Sequence, residues 1–145
     1  MAIKRTKTDI VFSNLVRARE NYTCQTCGKQ YLIQSLRQGL HCSHFWTRSI
    51  RPLRWWHENA IAQCYGCHQR YGSDPYLFTR FMAQRLGQDR LDQLAQIAYS
   101  HTPVSKKREM EALEHMIDQW RLMSIERRNG NTDKLEFTGW LPKIN

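Results

Sequence analysis

The chain has 145 residues, with 22 Lys and Arg against 13 Asp and Glu and a formal net charge of +9. That length suits one domain, or a small domain with helical extensions, and excludes a large multidomain machine. No apolar run reaches the ~18 residues of a membrane span and the N-terminus is polar and basic, so we expect no membrane, a cytoplasmic setting and a polyanionic partner such as nucleic acid.

A basic arm containing Lys4, Arg5 and Lys7 leads into residues 9–20 (DIVFSNLVRARE), where Ile10 or Val11, Leu15 and Val16 predict a short helix that Asn21 ends. The stretch YTCQTCGKQ then carries Cys24 and Cys27, with Gly28 free to take the positive φ of a tight thiolate turn. Residues 40–50 (LHCSHFWTRSI) are aromatic and β-branched and predict an extended piece, broken by Arg51-Pro52. ENAIAQCYGCHQRYG predicts a short strand or loop, the pair Cys64 and Cys67, and a helix from near Cys67 with His68 in its first turn. Ser73-Asp74-Pro75 marks the next boundary, with Pro75 at a first helical position. Helices are predicted over 76–86, ended by Gly87, over 89–99, and over about 105–128 with Ser105 as cap.

In the last helix Met110, Leu113, Ile117 and Trp120 make an apolar stripe, expected to pack on the two preceding helices or to form a homodimer seam. Residues 129–145 read as a loosely folded end in which Phe137, Trp140 and Leu141 are available to dock. The expected organisation is an arm and short helix over 1–20, a zinc-stapled core over 21–75, a helical extension over 76–128 and a tail over 129–145.

Two Cys-x-x-Cys pairs present four thiolates, enough to close a tetrahedral structural Zn2+ site with no open position for catalysis. Reduced thiols in a cytoplasmic protein favour metal over disulfide. Cys42 has no partner and reads as a small buried side chain. Between the pairs lie 36 residues, too few for a large core, so a metal staple makes physical sense. No acidic residue occurs between Glu20 and Glu58, whereas Lys29, Arg37, Arg48, Arg51 and Arg54 do. These are candidate phosphate contacts, because guanidinium pairs bidentately with phosphate oxygens. Trp46, Trp55 and Trp56 either stack on exposed bases or fill the small core.

His41, His44, Asn59 and His68 form a second, chemically different set. Phosphodiester hydrolysis needs a base for water, a divalent cation for developing charge, and donors that hold the phosphate. Imidazole serves as a base near neutral pH. An Asn carbonyl oxygen suits Mg2+ or Mn2+, or it orients the base instead. A second imidazole widens the choice towards Mn2+, Ni2+, Co2+ or Zn2+.

The run His44 … Asn59 … Cys64-x-x-Cys67-His68, with eight residues between Asn59 and His68, resembles the HNH (ββα-metal finger) nuclease motif. The stretch from Tyr22 to about Leu91 resembles, more closely, the NinG/Rap recombination endonucleases of lambda-like phages, through LHCSHFWTR, ENAIAQCYGCHQRYGSDPYLF and RLGQDRLDQL. The resemblance covers about half the chain. It implies a small α+β fold with a ββα-metal core, His44 on a hairpin, Asn59 on a loop and His68 on a helix, followed by a C-terminal helical extension. It further implies His44 as general base, with Asn59 and His68 near or on a catalytic Mg2+ or Mn2+.

Many HNH enzymes carry Asp or His just before the base as another ligand; this chain has Ser43. His41, water or Glu58 then completes the set. The implied activity is cleavage of branched DNA, such as Holliday junctions and D-loops, in a phage protein working in its host's cytoplasm. A general HNH nicking enzyme and a non-catalytic zinc-knuckle DNA-binding protein are the alternatives.

Overall fold

The computed structural model describes residues 3–33 and 39–144. Arg37, a candidate phosphate contact, lies outside the described residues. Among the described residues are five α-helices and one two-stranded antiparallel sheet, a small α+β arrangement.

Helix α1 (Lys7–Arg19) begins earlier than the apolar pattern predicts because Thr6 and Asp9 form a capping box. Phe12, Leu15 and Val16 on its inner face are fully buried. Asn21 and Tyr22 both adopt positive φ, 48° and 56°. They turn the chain into the first cysteine knuckle, where Gly28 has φ 80° and donates its N–H to the Cys24 carbonyl.

Strands β1 (Leu40–His44) and β2 (Ala60–Cys64) pair with Leu40 opposite Cys64 and His44 opposite Ala60. The extended piece expected over 40–50 stops at His44. Beyond it the chain is held by single 3-10 turns at Arg51–Leu53 and His57–Asn59. Side chains alternate across the sheet. His44 packs on Phe12 of α1, whereas Ser43 reaches His68 on the other side. Because both faces are covered, Ala60, Ile61, Ala62 and Gln63 are all buried.

Helix α2 (Tyr65–Gly72) follows β2 directly, with the Cys64 sulfur capping it by accepting from the Cys67 N–H. Asp74 and Pro75 open α3 (Pro75–Leu86), and Gly87, at φ 86°, separates it from α4 (Gln88–Tyr99). Phe78 and Met82 of α3 pack against Ile61 of β2, while Leu94 and Ala98 of α4 pack with Leu53.

Helix α5 (Lys106–Arg128), capped by Ser105, corrects the expected packing. It lies on α1, not on α3 and α4, and buries Ala112, Met116 and Met123 in the main core. Met110, the first residue of the predicted stripe, is 58% exposed. Arg127 explains the placement. Its guanidinium is buried and donates to the Ala18 carbonyl at 2.8 Å. It is a second donor to that carbonyl, which also accepts the Asn21 N–H, and it reaches the Arg19 carbonyl at 3.4 Å, a favourable place for a cation at a helix C-terminus. The outer face leaves Leu122 and Ile125 exposed.

The tail has no helix or strand, yet it is docked, contrary to a loose end. Phe137 is buried beside Phe12. The Trp140 N–H donates to the Trp55 carbonyl, and the Gly139 N–H donates to His57 Nδ1 at 2.9 Å. Gly139 leaves no room for a Cβ, which would collide with the Trp55 and His57 backbones. No helix among the described residues is long and apolar enough to cross a membrane.

Candidate functional site

The first knuckle is tied to β2 by the Gln25 N–H, which donates to the Ala62 carbonyl. That bond brings Cys24 and Cys27 to the pair at the β2–α2 junction. The four sulfurs of Cys24, Cys27, Cys64 and Cys67 lie within 4.8 Å of one another, and Cys27 Sγ is 3.8 Å from Cys64 Sγ. A tetrahedral site with Zn–S bonds of about 2.3 Å separates sulfurs by about 3.8 Å, so the four fit a zinc ion. Burial pushes the Cys24 thiol up, but the Thr26 hydroxyl and nearby backbone groups outweigh it and hold it at about 6. Burial and the adjacent sulfurs push Cys67 up to about 12. Sulfurs packed this closely do not all ionise without a cation between them.

Beside this staple runs a cleft of about 970 Å³ lined by α1, β1 and α2, with His41, His44 and His68 on its wall. His44 Nε2 lies 3.0 Å from the Arg54 carbonyl. With Nε2–H donating there, Nδ1 keeps a free lone pair. Burial, only partly offset by that bond, lowers His44 to about 4, so the ring is neutral at pH 7.

On the opposite face of β1, the His41 and His68 rings stack with centroids 5.3 Å apart and an interplanar angle of 12°. Burial depresses both, which keeps them neutral and available as ligands. His68 Nδ1 lies 3.1 Å from the buried Ser43 hydroxyl. With Nδ1–H donating, Nε2 presents its lone pair. Ser43 therefore orients an imidazole in the way a metal ligand's partner does.

Asn59 requires a correction. It is fully buried; its Oδ1 accepts from the Trp46 N–H at 2.8 Å, and its Nδ2 donates to the Trp46 and Leu53 carbonyls. Its carboxamide clamps the loop between the strands and offers nothing to a cation in the cleft. It makes no hydrogen bond to His44 either; its partners are the Trp46 and Leu53 backbone. Glu58 is also withdrawn, since its carboxylate accepts from Trp56 Nε1 and Arg90. Among the described residues no second group of three His, Cys, Asp or Glu side chains converges as the cysteines do.

Of the phosphate candidates, Arg48 lines the cleft, and Arg51 and Lys29 are exposed outside it. Arg54 is a correction: it is 3% exposed and forms a bidentate pair with Asp9, at 2.9 and 2.6 Å. Trp46 is another, its ring packed edge-on against Phe45 and Tyr99 in the core. Trp55 is buried and Trp56 packs into the same region.

Sequence reasoning missed Arg17 and placed Arg5 only in a basic arm. Both line the cleft, and Arg5 is fixed by donating to Ser13 Oγ at 2.9 Å. The signal for Arg17 is the polar face of α1, where Ser13, Asn14 and Arg17 sit at helical spacing opposite the apolar residues. Asp9 is the one acid on the cleft wall; Arg54 pairs with it closely and Arg48 lies 3.7 Å from it.

No protein-family model, no curated protein and no solved structure matches the chain.

Proposed function

We propose that this protein is a divalent-metal-dependent DNA endonuclease of the HNH type, akin to the NinG/Rap recombination endonucleases. It cuts branched intermediates such as Holliday junctions and D-loops by phosphodiester hydrolysis. The observation that carries this reading is a cleft that reaches His44 on one face of β1 and His41 and His68 on the other, lined also by Arg5, Arg17 and Arg48 and built beside a four-cysteine staple.

The base role falls to His44. Its Nδ1 takes a proton from a water molecule as that water's oxygen bonds to phosphorus. The P–O3′ bond breaks, leaving a 5′-phosphate, and the 3′ oxygen is protonated by solvent. Arg5, Arg17 and Arg48 hold flanking phosphates. A divalent cation, when bound, supplies Lewis-acid stabilisation of charge on the phosphate and the leaving oxygen. His41 and His68 are the side chains that would hold it. Two imidazoles without a carboxylate suit Mn2+ better than Mg2+, which narrows the expected choice. Zinc at the four cysteines stays structural.

A second reading is favoured by the same donor set. His41 and His68 have no third His, Cys, Asp or Glu beside them among the described residues, as expected of a zinc-knuckle DNA-binding protein without hydrolysis. The test incubates zinc-loaded protein and Mn2+ with a four-way junction and a matched linear duplex. Preferential nicking of the junction supports the proposal, and equal cutting of both supports a general nicking enzyme. No cutting, with no Mn2+ binding event by calorimetry, supports the DNA-binding protein. Sedimentation of the same sample reports whether one copy or a homodimer acts.

A further inference from the structure

Tyr65 opens α2 between two cysteines of the staple and is 60% exposed. Its ring packs against His41 with centroids 5.8 Å apart, and His41 in turn stacks on His68. The three rings form a row that starts at the cleft wall and ends in solvent. The position of Tyr65 is rigid, because Cys64 and Cys67 on either side converge with the other two sulfurs. The residue after it is Gly66, where a side chain would meet nothing within 4 Å. Packing therefore does not require glycine there, although glycine is a poor helix former. A fixed aromatic ring with an open face beside a phosphate-binding cleft is what an unstacked base adheres to, whatever its sequence. Trp46, the stacking candidate in the sequence, is packed away.

We infer that Tyr65 is a stacking platform for an unpaired base and gives this site its preference for DNA with unpaired nucleotides. The inference rests on the nuclease reading above and concerns branched substrates that expose unpaired bases, such as the displaced strand of a D-loop, since a Holliday junction keeps its bases paired. A continuous duplex keeps its bases stacked internally and gains nothing from Tyr65.

The test measures binding by full-length, zinc-loaded protein without added divalent cation, so that it does not depend on cleavage. The probes are a continuous duplex and the same duplex with a three-nucleotide bulge containing 2-aminopurine. Wild type is expected to quench the bulged 2-aminopurine. Tyr65→Phe retains the quenching. Tyr65→Leu, which keeps apolar bulk, loses it and binds the bulged DNA about 10- to 100-fold more weakly, with duplex affinity changed less than about twofold. Zinc content and far-UV circular dichroism establish that each variant is folded. Quenching that survives in Tyr65→Leu, or equal weakening on both DNAs, overturns the role of Tyr65 and leaves the nuclease reading standing. Failure of wild type to bind either DNA overturns both.

Discussion

The side chain of Asn59 and the backbone of Trp46 bond to each other twice. The Trp46 N–H donates to Oδ1 at 2.8 Å, and Nδ2 donates back to the Trp46 carbonyl at 2.9 Å. This pair fixes the loop that carries Arg48 into the cleft and positions the Arg54 carbonyl on which His44 is oriented. Asn59 thus acts on the site through backbone geometry.

Asn59→Ala is therefore expected to cost about 3 kcal/mol, since it strands buried backbone groups without partners. Mn2+ affinity should change little. Urea denaturation and calorimetric titration of the same preparation check this. Lost Mn2+ binding at unchanged stability would return Asn59 to the role of ligand.

The pH dependence follows from His44. Burial holds its ring at about 4, and in the proposed reaction the neutral form would be the base. Activity should stay level as pH falls below the ordinary histidine range of about 6.5 and decline only near pH 4 to 5. For folding the sign is the opposite of a stabilising histidine. The unfolded chain takes up the proton first, so His44 subtracts stability as pH drops from about 6.5 towards about 4. A profile of kcat/KM against pH on junction DNA reads the first effect. With Mn2+ saturating, so that His41 and His68 stay metal-bound, an acid limb centred near the ordinary value would take the base role from His44.

Asp9 and Arg54 form the buried ion pair that the charge pattern concealed. Burial opposes ionisation of Asp9, but hydrogen bonds from Arg54, the Thr6 N–H and Trp55 prevail and lower it to about 2. Its stabilising contribution is present above its ordinary value of 3.8 and is lost as pH falls towards about 2. Asp9→Asn leaves the Arg54 guanidinium buried without its counter-charge, a loss of about 3 kcal/mol or more. The loss should be the same at about pH 5 and pH 7, because Asp9 is ionised at both in the folded and unfolded chain. Denaturant midpoints of the two proteins test this. Equal midpoints would mean that the pair adds nothing.

Gly139 carries the docking of the tail. A methyl group there meets backbone atoms of Trp55 and His57, so Gly139→Ala should expel the segment or strain its neighbours, costing about 1–3 kcal/mol. Faster hydrogen exchange at the Trp140 amide is the expected signature, since that N–H donates to Trp55. Unchanged protection would show that the backbone adapts.

Much of the architecture was readable because its signals are local. Cysteine spacing, the Pro75 start and the Gly87 stop depend on a few neighbouring residues, and the structure follows them closely. What escaped depends on distant partners. Arg54 looked like a phosphate contact because its neighbours are basic; its acid, Asp9, lies 45 positions away on α1. Leu113 and Trp120 of the predicted α5 stripe do pack against the core, but the partner they meet, α1, is distant in sequence and apolar periodicity does not encode it. Asn59 has the residue type of a hard-cation ligand, and only its burial and three hydrogen bonds assign it to the loop. Tyr65 was unremarkable in sequence until its ring was seen beside His41.

In the proposed reaction His44 removes a proton from water in the cleft beside the cysteine staple. Single-turnover cleavage of a four-way junction with saturating protein and Mn2+, comparing wild type with His44→Ala, tests it most directly. The account predicts that the variant binds the junction normally, keeps one zinc per chain and cuts at least ~100-fold more slowly. Equal rates from the two proteins would contradict it.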